Sequence, residues 1–110
     1  MRYVCLVYMS QHDLDAIPDR ECMDFADGLR VSGGYVTADA LQRTDTATTV
    51  RVRNGKVSIT DGPFAETKEQ LAGFYVIEAR TLDEAIGIAA RIPPARVGSI
   101  EVRPVRTLSP

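Results

Sequence analysis

The stretch Thr60-Asp61-Gly62-Pro63-Phe64-Ala65-Glu66-Thr67-Lys68-Glu69-Gln70-Leu71, running on into Ala72-Gly73-Phe74-Tyr75-Val76-Ile77-Glu78-Ala79, decides how this chain is put together. An acid, a glycine and a proline interrupt a series of apolar runs. Gly62 precedes a proline and is pushed toward extended or turn geometry, while Pro63 fixes its own φ and has no N–H to give to a ladder. Strand pairing therefore stops at Asp61, whose carboxylate is held beside a shaped loop. Beyond the loop, Ala72 to Ala79 is apolar at nearly every position, the pattern of a strand buried on both faces.

Upstream, Thr46 to Arg53 and Lys56 to Thr60 flank Asn54-Gly55, and Asn-Gly between two β-rich runs predicts a hairpin. Arg51 and Arg53 alternate along it and are expected to charge an exposed strand against aggregation, the alternative being a grip on an anionic ligand. Tyr35 to Leu41 reads as a strand that follows a helix closed by Gly33-Gly34. Pro18 opens that helix in a first-turn position, where its missing donor costs nothing. Asp19, Glu21 and Asp24 near the start suit the helix dipole, and Cys22, Phe25, Ala26 and Leu29 make its apolar stripe. The first strand, Arg2 to Met9, is so apolar that a central place in the sheet is expected. Downstream, Thr81-Leu82-Asp83-Glu84 supplies a capping box for a second helix, with Leu82, Ala85, Ile86, Ala89 and Ile92 expected to face inward. Pro93-Pro94 stops it, and Ser99 to Val105 is a last strand whose Pro104 suits a sheet edge.

The order is thus β-α-β, an inserted β-hairpin, then β-α-β: a single-domain ferredoxin-like α+β fold over residues 1–110, with both helices on one face of a mostly antiparallel sheet. Strands apolar on both faces beside only two helices leave the other sheet face bare. Self-association through it is expected.

The loop residues Asp61-Gly62-Pro63-Phe64 with Glu66-Thr67-Lys68-Glu69 and the following Leu71 to Glu78 closely resemble the signature of the YCII-related, DGPF-domain family of small bacterial proteins. The resemblance implies a homodimer of the dimeric α/β-barrel type, in which two sheets pack together. Similar barrel proteins include isomerases, dehydrochlorinases and monooxygenases, so it implies a small-molecule pocket between helices and sheet and a lyase- or isomerase-type enzyme using Asp61. It also implies an alternative, a non-catalytic ligand-sensing or accessory module, because genes of the family often lie near those of sigma factors of the extracytoplasmic-function type. Relatives often carry a histidine in a segment like Ala95-Arg96-x-Gly98 and a His-Asp pair has been proposed as their site. Here that position is Val97, which removes the best imidazole candidate.

Composition narrows the partners. A 45% hydrophobic, 25% charged chain of net charge −2 is ordinary for a globular domain, and its basic residues alternate with acids, so no nucleic-acid partner is expected. Cys5 and Cys22 show no CxxC spacing and read as reduced thiols, no metal-ligand set is present, and no cofactor is expected for want of a phosphate-cradling or dinucleotide motif. No apolar stretch approaches a membrane span, and a cytoplasmic address is expected.

Asp61 is the expected catalytic group. Ligand contacts are assigned to Asp61, Phe64, Glu66 and Tyr75, with the alternatives that Asp61 caps the amides of its own turn and that Phe64 and Tyr75 are core residues. His12, the only histidine, sits in a polar loop beside Asp13 and Asp15 and is expected to stay in solvent.

Overall fold

A computed structural model describes residues 1–110. β1 (Arg2–Met9) sets the layering, because its odd residues Tyr3, Cys5, Val7 and Met9 are buried while Val4, Leu6 and Tyr8 on the other side stay half-buried. Two antiparallel partners flank it, β5 (Gln70–Glu78) and β6 (Ser99–Pro104), and β2 (Tyr35–Ala40) adds to the far side of β5. The resulting order β2-β5-β1-β6, with α1 (Asp19–Ser32) and α2 (Leu82–Ala89) as crossovers, is the ferredoxin-like α+β arrangement. β1 is central and β6, with Pro104, is an edge, as the sequence predicts.

Both helices bear on the odd face, where Ile77, Cys5 and Ile92 lose essentially all contact with water. α1 starts one residue later than expected, with Pro18 in extended geometry at its N-cap, and ends on Gly33, whose left-handed φ of 87° lets its N–H turn back to the carbonyls of Leu29 and Arg30. At the start of α2 the Thr81 hydroxyl accepts from the Glu84 N–H at 3.1 Å, while the Glu84 carboxylate reaches back to the Arg80 side chain at 3.0 Å. Leu82 and Ile86, expected inside, are half exposed. Ala85, Ile88, Ala89 and Ile92 form the buried stripe instead. Ile86 is rotated about 100° from Ala85, so packing the two alanines against the sheet turns it outward.

Two close approaches fix the sheet's ends. A side chain at Gly98 would collide with the Tyr8 carbonyl oxygen, and one at Gly73 would meet the Asp39 carbonyl at 2.9 Å. Between Val7 and Tyr8 the pairing with β5 slips: Val7 lies opposite Gly73 but Tyr8 opposite Leu71, leaving Ala72 as a bulge. The Ala72 carbonyl accepts from the Leu41 N–H at 2.9 Å as the chain leaves β2.

β3 (Thr48–Arg53) and β4 (Lys56–Asp61) form the expected hairpin, turned through Asn54 and Gly55 at φ 52° and 74°. They pair only with each other. Val50 opposite Ile59 and Val52 opposite Val57 put four apolar side chains on one face, each 57–67% exposed. This arm stretches the molecule to 46 × 42 × 19 Å, with a radius of gyration of 15.7 Å, against about 13 Å for a compact domain of this length.

On the even face of the four-stranded sheet Val4, Leu6, Tyr8, Leu71, Phe74 and Val76 are half-buried, with neither helix over them. No helix is long and apolar enough to cross a membrane.

Candidate functional site

The sequence builds a hollow where α1 cannot close down on the sheet. Small residues Ala26 on α1, Ala38 and Ala40 on β2, and Ala72-Gly73 on β5 leave a cavity of about 600 Å³, lined by these residues and by Val7, Met9, Leu14 and Ile17. Its walls are mainly apolar. Charged groups enter from α1, from β2 and from the turn that follows it, among them Asp19, Asp27, Arg30, Asp39 and Arg43. Arg30 is already engaged: its guanidinium lies 4.2 Å from the centre of the Tyr35 ring and 2.6 Å from the Asp27 carboxylate.

Tyr75 gives the cavity its polar handle. Its ring is 8% exposed and stands edge-on to Phe25, with centroids 5.6 Å apart and an 84° angle between planes. Its hydroxyl makes no hydrogen bond within the chain. No fully buried side-chain oxygen or nitrogen lacks a partner, so this hydroxyl opens onto the cavity that Tyr75 lines. Burial, followed by the neighbouring Cys22 and Tyr35, pushes it up to about 12 from its ordinary 10.0, and it stays a neutral donor and acceptor at physiological pH. The Cys22 thiol in the same wall is pushed up by burial and then by the carboxylates of Asp19 and Glu21. It is a protonated thiol, poorly suited to nucleophilic attack. Glu21 itself grips Arg96 with two hydrogen bonds of 3.0 Å, tying α1 to the 3₁₀ turn Pro93–Arg96, whose Pro94 lines the cavity.

Of the residues expected to contact a ligand, Tyr75 lines this cavity, while Asp61, Phe64 and Glu66 do not. Asp61 closes the last rung of the hairpin, opposite Thr48, and its carboxylate is exposed and unbonded. It does not cap the turn amides. The turn is held by Thr49, whose hydroxyl donates to the Gly62 carbonyl at 2.9 Å, and by the Gly62 N–H donating to Ala47 at 2.8 Å, with Gly62 at a φ of 102°. Phe64 is 76% exposed beneath the Arg51 guanidinium, 5.2 Å from its ring centre. Glu66 is exposed in the following loop. His12 lies exposed in the 3₁₀ turn Gln11–Asp13, and Val97 is 38% exposed; neither lines the cavity. No three His, Cys, Asp or Glu side chains gather closely enough to hold an ion.

Arg30, Tyr35 and Asp39 also line the cavity, and no local motif marks them in the sequence. Tyr35 follows the double glycine directly, and its pairing with Arg30 was open to inspection as a helix-end cation beside a strand-start aromatic.

Fold and cavity together define the class: a ferredoxin-like α+β domain with a mainly apolar cavity between its first helix and the sheet. The chain belongs to the YCII-related family, whose domain model matches residues 1–109. It is 48% identical over 69 residues to an uncharacterized protein of Rhizobium meliloti (strain 1021), an alignment that covers 61% of this chain and 56% of that relative, so the match spans little more than half the relative's length.

Proposed function

We propose that this protein is a cytoplasmic homodimer that binds a small organic molecule between α1 and the sheet, as a ligand-sensing accessory module of the kind associated with sigma-factor-type transcription regulation. The observation that carries the binding role is the unpartnered Tyr75 hydroxyl opening into a mainly apolar cavity of about 600 Å³. Ligand sites pair apolar walls with a few placed polar groups in this way. The dimer rests on the even sheet face, whose half-buried Val4, Leu6, Tyr8, Phe74 and Val76 have no helix over them. Light scattering is expected to give twice the 12.0 kDa chain mass.

A metabolite screen by thermal shift tests the binding role, since a ligand at a hundredfold excess over its Kd adds about 2.7 kcal/mol to stability. The hit is expected to bind Tyr75→Phe several-fold more weakly and to be excluded by Ala26→Phe, which fills the cavity. A ligand indifferent to both variants binds elsewhere and refutes the assignment. The second reading, a lyase- or isomerase-type enzyme using Asp61 with Phe64 and Glu66 beside the ligand, is favoured by one observation. The Asp61 carboxylate is free of any protein partner and so available for proton transfer. Turnover of the screened ligand that disappears in Asp61→Asn would establish it over the sensing role.

A further inference from the structure

A two-stranded hairpin standing alone is marginal in water and needs packing against something to stay ordered. The β3–β4 arm finds no such support in its own chain, because it pairs with no other strand and keeps Val50, Val52, Val57 and Ile59 57–67% exposed on one face. We infer that the apolar face of this arm packs on a second copy of the chain, each protomer of the homodimer laying its arm across its partner. This inference rests on the dimer proposed above and adds to it a second contact region outside the four-stranded sheet.

Two observations select a second copy over a different protein. Arg51, Arg53 and Lys56 against Asp61 give the arm a charge of +2, so the remainder of the chain, on a total of −2, carries −4. Arg51, Arg53 and Lys56 project from the face opposite Val50 and Val52, so this attraction between a basic arm and an acidic body acts at a distance and steers the encounter of identical chains. Size points the same way. Four β-branched side chains make a patch of a few hundred Å², short of the roughly 800 Å² per partner that a stable complex buries. Joined to the bare even face of the sheet in one interface, the arm helps reach that figure. Two-fold symmetry then counts every contact twice, which doubles the effect of a small arm.

The test is isotope-filtered NMR on mixed dimers of methyl-labelled and unlabelled chains. Contacts from the methyl groups of Val50, Val52, Val57 and Ile59 to the unlabelled chain are expected. The quadruple variant V50S/V52S/V57S/I59S is expected to raise the dimer dissociation constant at least tenfold, with an unchanged circular dichroism spectrum. Intermolecular contacts confined to Val4, Leu6 and Val76 leave the sheet-to-sheet dimer standing and overturn the arm. A serine variant that dimerises with wild-type affinity also overturns it. A monomer at every concentration overturns arm and dimer together.

Discussion

Tyr75→Phe separates the chemistry of one hydroxyl from the packing of its ring, and its signature lies at high pH. The Tyr75 hydroxyl is raised from 10.0 to about 12, first by burial. Its pKa in the folded chain thus exceeds that in the unfolded chain. The associated stability is complete below about pH 10 and drains away as pH climbs to about 12, because only the unfolded state releases the proton. Each pH unit in that window costs about 1.4 kcal/mol. Cys5, fully buried in β1 and raised from 9.0 to about 11 by burial, starts the same decline one unit earlier. Wild-type protein near pH 11 has therefore lost about 1.4 kcal/mol through Tyr75 on top of the loss through Cys5. The phenylalanine variant keeps the Cys5 loss and is spared the other. Near pH 8 the substitution removes a hydroxyl with no protein partner, so stability should hold within about 0.5 kcal/mol or rise. Urea unfolding followed by circular dichroism near both pH values measures each difference. Equal alkaline losses in the two proteins would refute the assigned environment of Tyr75, and so would a cost above about 1.5 kcal/mol near pH 8, the size of a hydrogen bond broken within the protein.

Val76→Asp places a carboxylate opposite Val4 on the even sheet face; the chain should still fold but sediment at 12.0 kDa, and a persisting dimer would show that this face is not the interface. Asp61→Asn and Asp61→Ala should both melt within about two to four degrees of wild type, because the carboxylate bonds nothing, about 0.5 kcal/mol at most; a larger drop would mean it holds the turn after all. Gly98→Ala drives a methyl group into the Tyr8 carbonyl and should cost about 3 kcal/mol or more, lowering Tm by over ten degrees at roughly 4–8 °C per kcal/mol; an unchanged Tm would place the turn before β6 farther from β1.

The element order was legible because each boundary carries its own chemistry: Asn54-Gly55 for the hairpin, Gly33-Gly34 for the end of α1, Thr81 and Glu84 for the start of α2, Pro104 for an edge. What escaped depends on partners distant in sequence. Leu82 and Ile86 look like core by hydrophobicity, but the phase of α2 is set by how closely Ala85 and Ala89 can approach the sheet. The detachment of the hairpin from the main sheet is likewise invisible in its own alternation, which reads the same whether or not a third strand adjoins it. The sequence alone leaves Tyr75 open between a core residue and a ligand contact. Its place in the cavity follows from the register of β5 on β1, in which Tyr75 faces Cys5 on the helix-covered side. Asp61, Phe64 and Glu66 are near neighbours in sequence, yet β4 runs to Asp61 and carries that group to the foot of the arm.

The bulge at Ala72 shows how the chain makes room without trimming a side chain. Had β5 continued on β1 in strict register from Val7 and Gly73, Ala72 would face Tyr8 and Leu71 would face Met9, on the helix-covered side. A leucine would then stand where the hollow now is. The single surplus residue turns Leu71 to the opposite face and leaves alanine and glycine as the floor. Capacity in this fold is therefore governed by chain length at one point in β5, so that one residue gained or lost there would change what the cavity admits more than most substitutions along its walls.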